Sequence, residues 1–104
     1  MADLEHALID GFVGYLRLER GYSENTIQAY MTDLVKWFDF CERHHINPFP
    51  PRHEFMSRFL KEMSEQGKSK ASLQRYAAAI RSWNRYLSIE GWIEEEQWLP
   101  SLPS

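Results

Sequence analysis

Five basic side chains and no acidic one lie between Lys68 and Tyr86, in a chain that is otherwise acidic, with 12 Lys+Arg against 15 Asp+Glu. On a helical wheel the apolar residues of this segment fall on one side and the basic residues, with Gln74, on the other. A helix with such a basic face can bind a polyanion. The alternative interpretation is a solvated surface with a chance charge bias. The basic residues are Lys68, Lys70, Arg75, Arg81 and Arg85.

A second group of polar residues lies between positions 25 and 36. Asn25, Gln28, Thr32 and Lys36 fall opposite an apolar stripe, and Ala29 leaves room for a close approach. The first N–H groups of a helix can donate hydrogen bonds to a phosphate, and amide side chains can reach base edges in a nucleic-acid groove. The same residues are equally normal on a solvated helix.

The start of the last helix is a stronger candidate for binding an anion. Ser69 is a good N-cap, and Lys68 and Lys70 flank it. The positive end of the helix dipole and two ammonium groups therefore favour a negative charge at the same place.

Little in the sequence indicates catalysis, a metal or a cofactor, and we expect none of the three. Cys41, His44, His45 and His53 match no strong zinc spacing, and adjacent histidines on a helix point about 100° apart. For Asp33 we expect a structural role, through a local hydrogen bond or a salt bridge to an arginine of the fourth helix.

The composition is that of one small globular domain. The chain has 104 residues, 43% of them hydrophobic and 14% aromatic. The lone Cys41 allows no internal disulfide and fits a reducing cytoplasm. No apolar run has the length of a membrane span, the N-terminus lacks the order of a signal peptide, and we expect no internal repeat.

Helical periodicity and caps predict an all-α domain of four helices. Their ranges are 2–20, 23–45, 51–66, with Pro51 as the first helical residue, and 69–90. The connections at Gly21 and Gly67 are short, which predicts two helical hairpins packed on each other. Gly11 and Gly14 are tolerable in the first helix if another helix packs closely over them. We expect the domain to cover 1–93, and 94–104 to be a linker.

Two motifs resemble a known family. The first is Gly21 to Tyr30 (GYSENTIQAY), followed by Asp33-Leu34 and Trp37-Phe38; the second is Lys70-Ala71-Ser72, Arg75, Ala78 to Arg81 and Tyr86-Leu87. Both are similar to the N-terminal core-binding domain of tyrosine recombinases and phage integrases, especially the Xer type. The resemblance covers about residues 3–93.

The resemblance implies a SAM-like four-helix fold that forms half of a clamp on double-stranded DNA. Its second and fourth helices would enter the major groove, and its first helix would touch other recombinase protomers in a synaptic complex. A catalytic domain would follow in the same parent chain, so this chain would not catalyse a reaction alone. The implied DNA-contacting residues are Asn25, Thr26, Gln28, Thr32, Lys70, Ser72, Gln74 and Arg75, with Lys36 and Arg81 at the margin; Lys68 joins them from the charge argument above.

One rival interpretation stays open. A helical protein–protein docking domain would use an apolar surface around Trp92, Ile93 and Trp98. An independent enzyme is disfavoured, because no catalytic constellation is present.

Overall fold

A computed structural model describes residues 2–48 and 52–93, with the side chains of the first helix described from residue 7 onward. Helix α1 (Ala2–Gly14) continues into a π-helical segment (Tyr15–Glu19) and is followed by α2 (Glu24–Arg43), α3 (His53–Glu65) and α4 (Lys70–Ile89). These ranges contain helices and no strand, so the all-α prediction is confirmed. The expected linker and Pro51 lie outside the described residues. The third helix begins at His53, with Arg52 as its N-cap, later than predicted.

The predicted connections between helices have the expected backbone geometry. Gly21 and Gly67 adopt positive φ angles of 67° and 88°, a conformation that glycine takes without a steric cost. Ser23 and Ser69 then cap α2 and α4, and each Oγ accepts a hydrogen bond from the backbone N–H three residues later. Each connection turns the chain back at once, so the π-helical end of the first helix pairs with α2, and α3 pairs with α4, as two hairpins.

The first contact between the hairpins is made by Phe12 of α1 against α4. Its ring lies 5.2 Å from the Trp83 ring at 82° and 5.6 Å from the Tyr86 ring at 54°. Phe12 is fully buried. Such edge-on aromatic contacts contribute about 0.5–1.5 kcal/mol beyond the area that they bury.

The second contact between the hairpins is the equivalent of the first, with the phenylalanine supplied by the other hairpin. Phe59 of α3 lies 5.5 Å from the Trp37 ring of α2 at 70°, and 5.5 Å from the Phe40 ring at 62°. Phe59 is also fully buried. Phe12 and Phe59, which are 47 positions apart, therefore make equivalent contacts with the opposite hairpin.

This exchange reveals an internal repeat, and the expectation of no repeat was wrong. Helices α2 and α4 both have 20 residues and begin 46 positions apart, with the same cap geometry. They also end alike: His45 and Gly91 have positive φ, and the backbone N–H groups of Ile46 and Trp92 each donate to a carbonyl five residues back, at 2.8 Å. Identical residues 46 apart are Glu19/Glu65, Gly21/Gly67, Ser23/Ser69, Gln28/Gln74, Tyr30/Tyr76 and Trp37/Trp83.

The π-helical segment accounts for the one difference in length between the hairpins. The Tyr22 N–H bonds to the carbonyl of Leu16, whereas its counterpart Lys68 bonds to that of Met63, one residue nearer in sequence. The spacing between equivalent residues is therefore 47 before this segment and 46 after it. The wide turn of a π-helix accommodates one extra residue without breaking the helix.

Close packing over a glycine occurs at Gly11 and not at Gly14. A Cβ atom added at Gly11 would lie well inside van der Waals contact with the Tyr86 hydroxyl, while one at Gly14 would meet nothing within 4 Å. The expectation of a helix packed over both glycines is thus confirmed for the first and wrong for the second. No helix in the described ranges has the length and apolar character that a bilayer crossing requires.

We predict opposite effects for alanine at the two glycines. Gly11→Ala should lower the free energy of unfolding by about 1–3 kcal/mol, because the Tyr86 ring must move. Gly14→Ala should raise it by about 0.5–1 kcal/mol, because alanine favours the helix. Urea denaturation of both variants measures the difference, and adding Tyr86→Phe should recover part of the Gly11→Ala loss. Equal effects at the two positions would contradict the close packing.

Candidate nucleic-acid interface

A strip of exposed residues runs along α4, here called the α4 strip: Lys70, Gln74 and Arg81. Their spacing of four and then seven positions aligns them along one side of the helix. In the part of the chain that the structure describes, no carboxylate lies within 4 Å of the cations of Lys70 or Arg81, or of the exposed Lys68 just before the helix. The strip therefore presents positive charge that is not neutralised locally.

The repeat supplies a comparison on α2, where the equivalent positions carry a different character. Lys70 corresponds to Glu24, Gln74 to Gln28, and Arg81 to Val35. Glu24 forms an ion pair with Arg17 at 2.7 Å, which lowers the pKa of this carboxyl. Val35 is 64% exposed. Equivalent exposed positions are thus basic on α4 and acidic or apolar on α2. This difference argues against the interpretation of the α4 strip as an ordinary solvated surface.

A polar strip on the flank of α2, here called the α2 strip, consists of Asn25, Gln28, Thr32 and Lys36. The first three are exposed, and Lys36 is half-buried. The Thr32 hydroxyl donates to the Gln28 carbonyl at 3.0 Å. Among the described hydrogen bonds none engages the side-chain amides of Asn25 or Gln28, which leaves both amides available to an outside partner.

Thr26 and Ser72 take equivalent places in the two helix starts. The Ser23 hydroxyl donates to the Thr26 hydroxyl at 3.0 Å, and the Ser69 hydroxyl donates to the Ser72 hydroxyl at 3.1 Å. Both residues are half-buried. The hydroxyl groups of Thr26 and Ser72 are thus already hydrogen-bonded to the capping serines.

Lys36 and Lys68 meet at a cleft between α2 and the turn before α4. The cleft has a volume of about 240 Å³, and Asp39, Arg43, Met63 and Gln66 also line it. The Lys36 ammonium lies 5.7 Å from the centre of the Tyr76 ring, within the range of a cation–π contact. The α2 strip and the start of α4 therefore form one continuous surface.

Arg75 and Asp33 form an ion pair between α4 and α2, which confirms the structural role expected for Asp33. The guanidinium donates to both carboxylate oxygens, from Nε at 2.8 Å and from a terminal nitrogen at 3.0 Å. Asp33 is fully buried, while the Arg75 side chain is 45% exposed. The hydrogen bonds to Asp33 raise the pKa of Arg75. Arg75 thus lies at the border of the two strips with two of its nitrogens already engaged.

The four residues considered as metal ligands do not come together. Within residues 2–48 and 52–93, no three His, Cys, Asp or Glu side chains converge on a point that could hold a metal. Burial raises the pKa of the Cys41 thiol to about 11, which keeps it protonated and unreactive. His44 contacts Glu62, with 2.9 Å between Nε2 and Oε1.

Comparison with known proteins agrees with this architecture. The sequence profile of the phage integrase N-terminal SAM-like domain matches residues 9–91. Tyrosine recombinase XerD of Oceanobacillus iheyensis is 36% identical over 90 residues, which is 84% of this chain and 30% of the recombinase. XerD of Staphylococcus aureus is 33% identical over 81 residues, 76% of this chain and 27% of that protein. No solved structure matches.

The chain belongs to the family of phage integrase N-terminal SAM-like domains. It spans about 30% of the length of the curated relatives that it matches. The SAM-like four-helix fold implied by the resemblance is therefore confirmed.

Sequence inspection missed two features of this surface. It missed the ion pair of Glu24 with Arg17, which requires the two helices to meet, and it missed the different character of the equivalent strips. The repeated Gly-x-Ser with a Gln five residues after the Ser, 46 positions apart, was the available signal for the second feature.

The equivalence of the two helix starts yields a prediction for their caps. Ser23→Ala and Ser69→Ala should each lower the free energy of unfolding by about 1 kcal/mol, because each frees one backbone N–H of its cap. The losses should agree within the error of urea denaturation, whereas the exposed Ser57→Ala should have little effect. Clearly unequal losses at the two caps would contradict their equivalence.

Proposed function

We propose that this chain is the DNA-binding module of a site-specific tyrosine recombinase or integrase, inactive alone. The observation that carries the proposal is the α4 strip, whose two cations have no carboxylate within 4 Å among the described residues, and which is continuous with the polar α2 strip. Because the chain as a whole has a net charge of −3, its affinity for DNA depends on this local surface.

The two strips divide the work on duplex DNA. Lys68, Lys70 and Arg81 contact phosphates, which fix position without reading sequence. Gln28, Gln74 and Asn25 reach base edges in the major groove, where a glutamine or asparagine amide can pair with adenine. Four further residues lie between these two groups and contact the same stretch of DNA: Thr26, Thr32, Lys36 and Ser72.

The remaining parts of the proposal concern the parent protein. A catalytic domain follows in the same chain and closes the clamp on the recombination site in the cytoplasm. A neighbouring protomer contacts the end of the first helix. Support for this contact comes from Leu18, which is 83% exposed, and Ile89, which is 56% exposed. Both line a cleft of about 180 Å³ beside Gly14.

The phosphate contacts predict a dependence on salt. Affinity falls as salt rises, so the slope of log affinity against log salt is negative. In the Lys68→Gln and Lys70→Gln double variant the magnitude of this slope should be smaller by about two, close to one per lost phosphate contact. Fluorescence anisotropy with a labelled 20-base-pair duplex, at several salt concentrations, measures the slope.

Lys61→Gln is the matched control for this experiment. It removes the same charge from the exposed face of α3, which belongs to neither strip, so its slope should equal that of the unchanged chain. An unchanged slope in the double variant would exclude these lysines as phosphate contacts.

The docking-domain alternative is favoured by one observation, the exposure of Leu18, Ile89 and Trp92, the last at 52%. Of the other two residues predicted for that apolar surface, Ile93 is half-buried and Trp98 lies outside the described residues. A heteronuclear NMR titration with the duplex separates the two functions. We expect shifts at residues 23–36 and 68–82. Absence of any shift at low salt would instead favour a protein partner at the apolar residues.

A further inference from the structure

The ion pair of Asp33 with Arg75 joins α2 to α4 and has no counterpart at the equivalent positions of the repeat. The counterpart of Asp33 is Ala79, and the counterpart of Arg75 is Ala29. The repeat thus carries two small apolar residues at one place and a charged pair at the equivalent place. A buried carboxylate is costly unless it is paired, so the addition calls for a reason beyond packing.

The location of the pair supplies this reason. Asp33 lies beneath the α2 strip, one position after Thr32, and Arg75 is the neighbour of Gln74 in the α4 strip. The Arg75 guanidinium and the Lys36 ammonium each lie 5.7 Å from the centre of the Tyr76 ring. A change in the pair would therefore move both strips relative to each other.

The geometry of the Arg75 guanidinium also indicates a structural role. Nε and one terminal nitrogen face the two oxygens of Asp33, a fork-shaped contact that fixes the orientation of the planar group. A phosphate contact requires only a positive charge near the DNA, which Lys68, Lys70 and Arg81 already supply.

We propose that Arg75 is a positioning residue: it clamps α4 to α2 through Asp33, and so sets the relation between the two DNA-reading strips without contacting a phosphate itself. This inference rests on the proposed function. It replaces the simpler expectation that Arg75 is one of the phosphate contacts.

The test uses a 20-base-pair duplex, selected from a random pool for tight binding to the unchanged 104-residue chain. Affinity is measured at several salt concentrations and at a temperature where circular dichroism shows each variant folded. Arg75→Gln and Asp33→Asn should each weaken binding about tenfold, and Arg75→Gln should keep the salt slope of the unchanged chain. The double variant should bind more tightly than either single variant, because neither amide leaves a buried charge without a partner.

Three further variants calibrate the result. Arg81→Gln removes a cation from the α4 strip, and its slope should fall by about one. Asp39→Asn removes an exposed carboxylate from α2 and corrects for the loss of negative charge near DNA. Arg75→Lys keeps the charge and loses the fork, so it should weaken binding at an unchanged slope, and it serves where the glutamine variant does not fold.

Several outcomes would overturn the clamp. A slope lower by about one in Arg75→Gln, with Arg75→Lys binding normally, would make Arg75 a phosphate contact. Unchanged affinity in every folded single variant would leave the pair a role in stability alone. Independent, additive losses in the double variant would show that the two residues do not act together. Failure of the unchanged chain to bind any duplex would refute the proposed function first and the clamp with it.

Discussion

The exchange of aromatic rings between the two hairpins is the constraint on which the rest of the domain depends. Phe12 lies against Trp83 and Phe59 lies against Trp37, both nearly edge-on. Each of these phenylalanines is buried against the tryptophan of the other hairpin, so both hairpins contribute to one shared core. The glycine turns matter because they hold each pair of helices in the register that this exchange requires. The absence of a side chain at Gly11 matters because Tyr86 lies directly over it.

On this nearly symmetrical core the exposed surfaces of α2 and α4 differ. The α4 strip carries Lys70 and Arg81 where α2 carries Glu24 and Val35. Core packing does not account for this difference, because Glu24, Val35, Lys70 and Arg81 are all exposed. Electrostatics provides the better account: one helix supplies most of the positive charge, and the other supplies amide and hydroxyl groups on its adjoining flank.

The sequence predicted the four helices, their caps and the pairing into hairpins, because these follow from local spacing and from the turn residues at Gly21 and Gly67. It also predicted that Asp33 would meet an arginine of α4. It could not select Arg75, since the choice depends on how two helices separated by 42 positions in sequence cross. For the same reason it gave Gly11 and Gly14 one environment, although only the first lies beneath a ring.

The repeat is visible in the sequence as a few scattered identities, and the extra residue in the π-helical segment shifts the register between its two parts. The equivalent ring contacts of Phe12 and Phe59 show the repeat more clearly than the residue identities do. The pair of hairpins has the form of an isologous dimer, in which the same patch on each partner contacts the other, with both partners joined in one chain. In a dimer of two identical hairpins, every charged residue would occur on both hairpins. Joined in one chain, they can keep a shared core while a single helix acquires the cations.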